Sequence, residues 1–234
     1  MKYSLVVTVF NEEKDIVSLL DSIAAQSVHP HEVVIVDGGS KDKTVSVLKK
    51  YSIAHPGMHL KVFSKKGNRS IGRNFGVSKS IGDIVLFTDA GCALDKNWVK
   101  EISRPFSDKN TEVVAGYYRG RATSFFQQAL IPFVLVMPNK IDKKNFLPAT
   151  RSMAIRKDTF NTLGGFEQKY SHNEDYVFAN KIREYGIKIS FARKAIAIWM
   201  PRSSLPSAFR MFYRFALGDM ESGIVRGKVL LIFA

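Results

Sequence analysis

Four acidic positions have the type and placement to do chemistry. Glu12 follows Tyr3–Phe10, a β-rich and almost wholly apolar stretch. Asp37 closes the apolar run Glu32–Val36, and Asp89 closes Asp83–Thr88. Asp175 stands beside Glu174 at the start of a helical pattern. Carboxylates after strands are often turn or cap residues. Gathered on one edge, they instead hold a cation, accept hydrogen bonds from a ligand or take a proton from a hydroxyl. The turn Asp37-Gly38-Gly39-Ser40 permits close backbone approach to a ligand. There is neither a Walker loop nor a GxGxxG. The five histidines show no metal-ligand spacing with the single cysteine, Cys92. No base is paired with Cys92, so it reads as a small buried apolar residue.

The elements that must position these groups come from periodicity. Glu12–Gln26 has helical period, with Ile16, Leu19, Leu20, Ile23 and Ala24 on one face. Thr44–Tyr51 and Ser70–Ser80 read as further helices, the former with Val45, Leu48 and Tyr51 inward, and Leu60–Ser64 as a third strand. Alternating strands and helices predict βαβ units and a mostly parallel sheet. In such sheets ligands bind outside the carboxyl ends of the strands. Phe10, Asn11, Glu12, Asp37 and Asp89 all fall on that edge, and their joint placement weakens the reading as ordinary turn residues.

The second half is less regular. Ser124–Pro138 is aromatic and aliphatic, interrupted by Pro132, and Asn139–Lys144 is a polar, basic loop. Met153–Ile155 reads as a short strand. Glu174–Tyr185 reads as a helix with Gly186 just past its end. Ile189–Ala192 and Ala195–Trp199 read as two strands, and Phe209–Leu217 as a basic, aromatic helix.

The 234 residues, 45% of them hydrophobic, suffice for one sizeable core. Thirty-five Lys and Arg against 21 Asp and Glu give a net charge of +14. That balance predicts an anionic partner: phosphates of a small substrate, a nucleic acid or an anionic lipid surface. The basic residues are spread along the chain and no nucleic-acid motif accompanies them, so no nucleic acid is expected. A lone cysteine excludes an internal disulfide and points to a reducing compartment. The N-terminus lacks a signal-peptide pattern. No run of about 18 apolar residues predicts a membrane-spanning helix. The apolar Val229–Ala234 reads as a frayed terminus or the approach to a membrane segment.

Thr8-Val-Phe-Asn-Glu12, Val36-Asp-Gly-Gly-Ser-Lys-Asp-Lys-Thr44, Arg73-Asn-Phe-Gly76, Phe87-Thr-Asp-Ala-Gly91, Leu163-Gly-Gly-Phe166 and Asn173-Glu-Asp175 occur in one order along residues 3 to 200. In that order they resemble the family 2 glycosyltransferases of the GT-A fold. The resemblance implies an α/β fold: a Rossmann-like, mostly parallel central sheet flanked by helices. It implies a nucleotide-binding half over about 1–92, an acceptor half over about 93–200 and an amphipathic extension over 201–234. The activity implied is inverting transfer of one sugar from a nucleoside-diphosphate sugar, UDP favoured, to a hydroxyl of a lipid-linked or cell-surface glycan precursor.

By the same resemblance, Thr8, Phe10, Asn11 and Glu12 line the nucleoside pocket. Asp37 accepts a hydrogen bond from the base, and Gly38 and Ser40 shape that wall. Arg69 and Arg73 face the diphosphate, unless they form a solvated basic face. Asp89 matches the first Asp of a metal-binding DxD, so Mn²⁺ or Mg²⁺ is expected, although Gly91 stands where the second Asp would be. Asp175 matches the catalytic base, with Gly165, Phe166, Glu174 and Arg151 on the acceptor side. Arg151 and Arg156 either hold an acceptor phosphate or are solvated. Phe209–Arg214 lacks the QxxRW of polymerising members, which implies single sugar addition. The helix over Phe209–Leu217 either packs on the core with its arginines outside or lies on anionic lipid. The net charge and the apolar segments favour lipid, and hence a cytoplasmic, peripheral membrane location. The rival readings are a catalytically inactive nucleotide-sugar-binding partner, which Gly91 keeps open, and a basic nucleic-acid-binding protein.

Overall fold

In the computed structural model, which describes residues 1–142, 146–170 and 172–223, the first half alternates regularly. β1 (Tyr3–Val9), α1 (Ile16–Ala24), β2 (Glu32–Asp37), α2 (Thr44–Ala54), β3 (Leu60–Ser64), α3 (Arg69–Lys79) and β4 (Ile84–Phe87) follow one another. β1, β2, β3 and β4 pair in parallel, with Val9 opposite Asp37. Their carboxyl ends therefore share one edge. β2 and β4 are buried throughout because helices cover both faces of the sheet.

The second half adds β5 (Cys92–Leu94), α4 (Trp98–Ser103), β6 (Val113–Gly120), α5 (Phe125–Val134), β7 (Met153–Arg156), α6 (Lys157–Thr162), α7 (Glu174–Glu184), β8 (Ile189–Trp199) and α8 (Leu205–Ser222). All strands join one eight-stranded sheet in the order β3-β2-β1-β4-β7-β6-β8-β5. β7 enters antiparallel to β4, which turns the mononucleotide-binding half into a mixed sheet. The loop expected over Asn139–Lys144 lies partly, and the apolar Val229–Ala234 wholly, outside the described residues.

Several elements differ from expectation for identifiable reasons. α1 begins at Ile16 rather than Glu12 because residues 11–13 are tied to the β2–α2 loop. Asn11 sits at φ 54° and its N–H donates to Ser40 Oγ, while the Glu12 N–H donates to Thr44 Oγ1. The two strands expected over 189–199 are one strand, β8. Its exposed Arg193 and Lys194 form a bulge: Gly116 pairs with Ala192, but the next residue, Tyr117, pairs with Ile196. Gly116 makes this possible, since a Cβ there would collide with Ser152 Oγ and the Ala195 carbonyl. β5, α4, β6 and α6 lack a clear period in the sequence. α8 extends well beyond Phe209–Leu217, from a capping box at Ser204 and Ser207 to Gly223 at φ 66°.

α3 lies close on β1 and β2 through two glycines. A Cβ on Gly72 would meet Thr8 Cγ2 at 2.8 Å, and one on Gly76 would meet Val6 Cγ1 at 2.5 Å. This approach sets where Arg69 and Arg73, one helical turn apart on α3, enter the site. Gly76→Ala is accordingly expected to destabilise the chain by about 1–3 kcal/mol through overpacking, despite the better helix propensity of alanine. Gly57→Ala, where nothing lies within 4 Å of the added Cβ, should leave the urea midpoint close to wild type.

Candidate active site

The carboxyl edge of the parallel strands opens into a cleft of about 1260 Å³ that crosses to β8 and α8. Thr8, Glu12, Arg69 and Asp89 line its β1–β4 side, and Arg151, Glu174 and Asp175 its far side. Phe10, Asn11, Asp37, Gly38 and Ser40 form an adjoining rim at the ends of β1 and β2. There the Asp37 carboxylate accepts the Gly39 N–H at 3.0 Å and the Ser40 N–H at 3.1 Å, which closes the Gly-Gly turn. Ser40 then accepts from Asn11, and Asn11 Oδ1 accepts the Lys41 N–H, both at 2.8 Å. The ring of Phe10 is left largely exposed beside Gly38. A carboxylate has about four lone-pair sites, so Asp37 keeps acceptor capacity.

At the centre of the cleft, Arg73 is only 2% exposed. Its Nη1 donates to Glu174 Oε1 at 2.5 Å, and its Nη2 to Asp89 Oδ1 at 3.0 Å and to Thr150 Oγ1 at 2.9 Å. Thr150 in turn donates to Asp89 Oδ1 at 3.2 Å. The guanidinium also lies over the Phe166 ring, 5.4 Å from its centre. Of the two readings of Arg73, facing the diphosphate or lying on a solvated face, the solvated one is excluded: it is a buried cation shared by two carboxylates. Arg69 lines the open part of the cleft.

Gly165 and Phe166, expected on the acceptor side, lie beneath the site instead. Phe166 is fully buried against Phe87, Phe160 and Phe178. Asn74 clamps Phe166 through both its backbone N–H, at 2.9 Å, and its carbonyl, at 2.8 Å. The tight turn before it uses Gly164 and Gly165, both at positive φ. This part of the sequence supports Arg73 rather than facing a ligand. Arg156 is likewise remote from the cleft, donating to the carbonyls of Thr111 and Lys109. Arg151 does line the cleft, with its guanidinium 5.7 Å from the ring centres of both Tyr118 and Trp199.

Charge distinguishes the carboxylates. Burial raises the pKa of Asp89, but Arg73, Arg151 and Arg69 outweigh it and hold Asp89 below the usual aspartate range. Burial, and then neighbouring Glu174, push Asp175 above that range, with Arg73 and Arg151 opposing. Burial and Asp15 raise Glu12 against Arg202 and Arg69. The cleft thus holds one carboxylate whose pKa is lowered, Asp89, and one whose pKa is raised, Asp175. By contrast Glu32, buried at the amino end of β2, is held by Ser4, the Ile81 N–H and Lys61, and is structural. Burial pushes the Cys92 thiol up to about 12, as befits an inert core residue.

Among the described residues no group of three or more His, Cys, Asp or Glu could hold a metal ion. Asp89 is nevertheless 34% exposed, and its Oδ2 has no protein partner among the described residues. The space beside Gly91 is open, with nothing within 4 Å of where a Cβ on that residue would lie. One carboxylate oxygen facing open space fits a hard cation that completes its shell with phosphate and water.

α8 forms a wall that the sequence did not place at the site. Ala208, Met211 and Phe212 pack inward and Arg210 and Arg214 are exposed, as in the reading of a helix packed on the core with its arginines outside; beyond that reading, Arg210, Arg214 and Phe215 line the cleft. Gly218 lies against the loop before α7, where a Cβ would come within 2.6 Å of His172 Cβ. Asn173, at φ 59°, donates to Asp219 at 2.6 Å. Thr44, Thr150 and Asp219 were not singled out in the sequence, for a hydroxyl or carboxylate that only braces other polar groups has no spacing of its own.

Replacing Arg73 with Met would leave Glu174 and Asp89 facing one another without their shared cation. The expected cost is about 3–5 kcal/mol, read as a lower urea midpoint. Arg69→Met, on the open cleft wall, should cost far less.

The comparisons with known proteins agree with this geometry. The model for "Glycosyl transferase family 2" matches residues 4–164. The chain is 26% identical over 212 residues to the O-antigen chain rhamnosyltransferase RfbN of Salmonella typhimurium, covering 84% of this chain and 65% of that one. It is 23% identical over 200 residues to the glycosyltransferase AglE of Haloferax volcanii, covering 82% and 65%. The chain therefore spans about 65% of the length of these relatives. Among solved structures, the mannosyltransferase PcManGT of Pyrobaculum calidifontis, in complex with GDP-Man and Mn²⁺, superposes with a TM-score of 0.74 at 20% identity, over 94% of this chain and 62% of that one. Residues 1–349 of Staphylococcus aureus TarS superpose with a TM-score of 0.66 at 25% identity, over 94% and 65%. With its sheet arranged as in these GT-A structures and two-thirds of its length matching the family model, the chain belongs to glycosyltransferase family 2.

Proposed function

We propose that the chain catalyses inverting transfer of a single sugar from a nucleoside-diphosphate sugar to an acceptor hydroxyl. The observation that carries this reading is the placement of Asp89 and Asp175 on one cleft, with Arg73 bonded to Asp89 and to Glu174, the residue before Asp175. Asp175, its pKa raised by burial, accepts the proton of the acceptor hydroxyl. The hydroxyl oxygen forms its bond to the anomeric carbon as the bond to the diphosphate breaks, and the electron pair leaves with the diphosphate. Attack from the face opposite the leaving group inverts the anomeric carbon. Arg69 faces the charge developing on the leaving group. Where a Mn²⁺ or Mg²⁺ ion is bound, Asp89 holds it, and it offsets charge on the diphosphate.

The nucleoside lies on the Phe10–Asp37 rim, where the remaining acceptor capacity of Asp37 suits the ring N–H of uracil. TarS has been solved with UDP, and PcManGT with GDP-Man and Mn²⁺; Asp37 makes UDP the favoured donor here. The acceptor is a lipid-linked glycan precursor, and the chain works at an anionic membrane surface. Exposed aromatic side chains on α5 and α8 beside the cleft support that setting. No helix among the described residues is long and apolar enough to cross a membrane.

Calorimetric titration with UDP and GDP, each with and without Mn²⁺, tests the donor site; UDP binding strengthened by the ion is expected, and no binding of either nucleotide would sink the assignment. Asp175→Asn should abolish turnover while sparing UDP binding, and unchanged turnover would remove Asp175 from the mechanism. The acid limb of kcat/KM should lie above the ~3.9 of an ordinary aspartate, because protonated Asp175 accepts no proton and its pKa is raised. Arg151→Gln removes a cation that favours ionised Asp175, so the limb should move to still higher pH in a pH–rate profile.

A further inference from the structure

Two arginines of the cleft differ in what meets their donors. Arg73 gives its N–H groups to Glu174, Asp89 and Thr150. Arg151, half-buried on the same cleft, makes no side-chain hydrogen bond and no ion pair among the described residues. What holds it is aromatic. Its guanidinium lies over the rings of Tyr118 and Trp199, both buried, at 5.7 Å from each ring centre. Such rings attract the charge but leave the N–H groups without oxygen acceptors. None of its nitrogens is sealed away from solvent without a partner, so those donors open onto the cleft.

The backbone of Arg151 is fixed independently of its side chain. It lies in the turn Ala149–Ser152, where the Ser152 N–H donates to the Ala149 carbonyl at 2.9 Å. The Arg151 carbonyl accepts from Thr88 Oγ1 at 3.0 Å, and Thr150 Oγ1 donates to Asp89 at 3.2 Å. The turn is thereby tied to the two residues that follow β4 and Phe87. Asp89 and Asp175 both feel the charge of Arg151, which ranks next after Arg73 among the cations acting on each. Arg151 therefore opens onto the space that the two carboxylates share.

A partly desolvated guanidinium with unmet donors is costly until a ligand meets them. A neutral sugar hydroxyl accepts one ordinary hydrogen bond. A carboxylate is planar, brings two acceptor oxygens and matches the guanidinium in shape and charge. A phosphate dianion would leave surplus negative charge beside Asp89 and Asp175.

We infer that Arg151 recognises a carboxylate on a sugar substrate, so that one of the two sugars joined is a uronic acid. This rests on the transferase reading, in which the diphosphate falls to Arg69, and it narrows the substrate class. The transferred sugar and the accepting sugar would present the same group to Arg151.

Calorimetric titration of the full chain tests it in two arms. UDP-glucuronate against UDP-glucose reads the transferred sugar. Methyl glucuronide against methyl glucoside, each with and without UDP, reads the accepting sugar. In one arm the acid should bind at least roughly tenfold more tightly than its neutral counterpart, the effect of a hydrogen bond to a charged group, and that arm names the source. Arg151→Gln should remove the preference while UDP still binds, which also reports a folded variant. Arg151→Lys, which keeps the charge and loses the planar fork, should retain only part of the preference. No preference in either arm would overturn the proposal, and so would a preference that survives Arg151→Gln. If Arg151→Lys weakens UDP as much as it weakens UDP-glucuronate, Arg151 belongs to the diphosphate and the proposal is overturned as well. A wild-type chain that binds UDP and prefers neither acid sinks the role of Arg151 alone. A chain that binds no UDP but prefers methyl glucuronide through Arg151 sinks the donor site alone.

Discussion

The site depends on one buried cation. Arg73 comes from α3, Asp89 from the end of β4, Thr150 from the segment before β7 and Glu174 from the first turn of α7, and the guanidinium bonds to all three partners. A guanidinium offers five N–H donors in a fixed plane, which suits several acceptors approaching from different elements. A lysine would be a point charge with no such geometry. Taking this cation out of water is costly, and two carboxylates and a hydroxyl compensate only when all are in place. The network therefore forms only when the nucleotide-binding half and the α7 side are correctly docked. It ties the candidate donor carboxylate, Asp89, to the helix that carries the candidate base.

The same network sets the electrostatics of the cleft. Asp89 is held low by Arg73 and the other arginines, while Asp175 sits one residue beyond Glu174 and feels that carboxylate directly. Arg73 forms its ion pairs with Glu174 and Asp89, so it steadies the neighbour of Asp175, the candidate base, without pairing with Asp175 itself. Two adjacent acidic residues thereby take different parts: Glu174 is structural and Asp175 is left to titrate. Either role alone could have been assigned to either residue from their positions at the start of a helix.

The mononucleotide-binding half was legible because local pattern and global environment agree there. β1, β2 and β4 are largely buried and so read as apolar runs, and β3, a half-exposed edge strand, still has the bounds that its sequence predicts. The acidic residues at strand ends were legible for the same reason, since parallel topology forces them onto one edge. Illegible elements were those whose neighbours decide them. β6 is a strand because β7 and β8 flank it, and the bulge at Arg193-Lys194 looks like a strand break in sequence because its charged residues point to solvent. Arg73 stayed ambiguous for a related reason, with a diphosphate-facing and a solvated reading both open. An arginine at a helical position is usually solvated, and only the convergence of three distant segments reveals that this one is buried. Phe166 was placed on the acceptor side by the family resemblance alone, whereas the turn at Gly164 and Gly165 slides its ring beneath the guanidinium.

α8 shows how an extension can become part of an active site. The C-terminal segment reads as basic and aromatic, which fits a surface helix or a lipid-facing one. Its buried face, Ala208, Met211 and Phe212, packs inward, while Arg210 and Arg214 border the cleft. Gly218 lets the helix backbone touch the loop at His172 and Asn173, and Asp219 fixes Asn173 at the left-handed position that starts α7. Movement of α8 would therefore alter the presentation of Asp175 as well as the width of the cleft. The contact that couples them, at Gly218, leaves no room even for a methyl group.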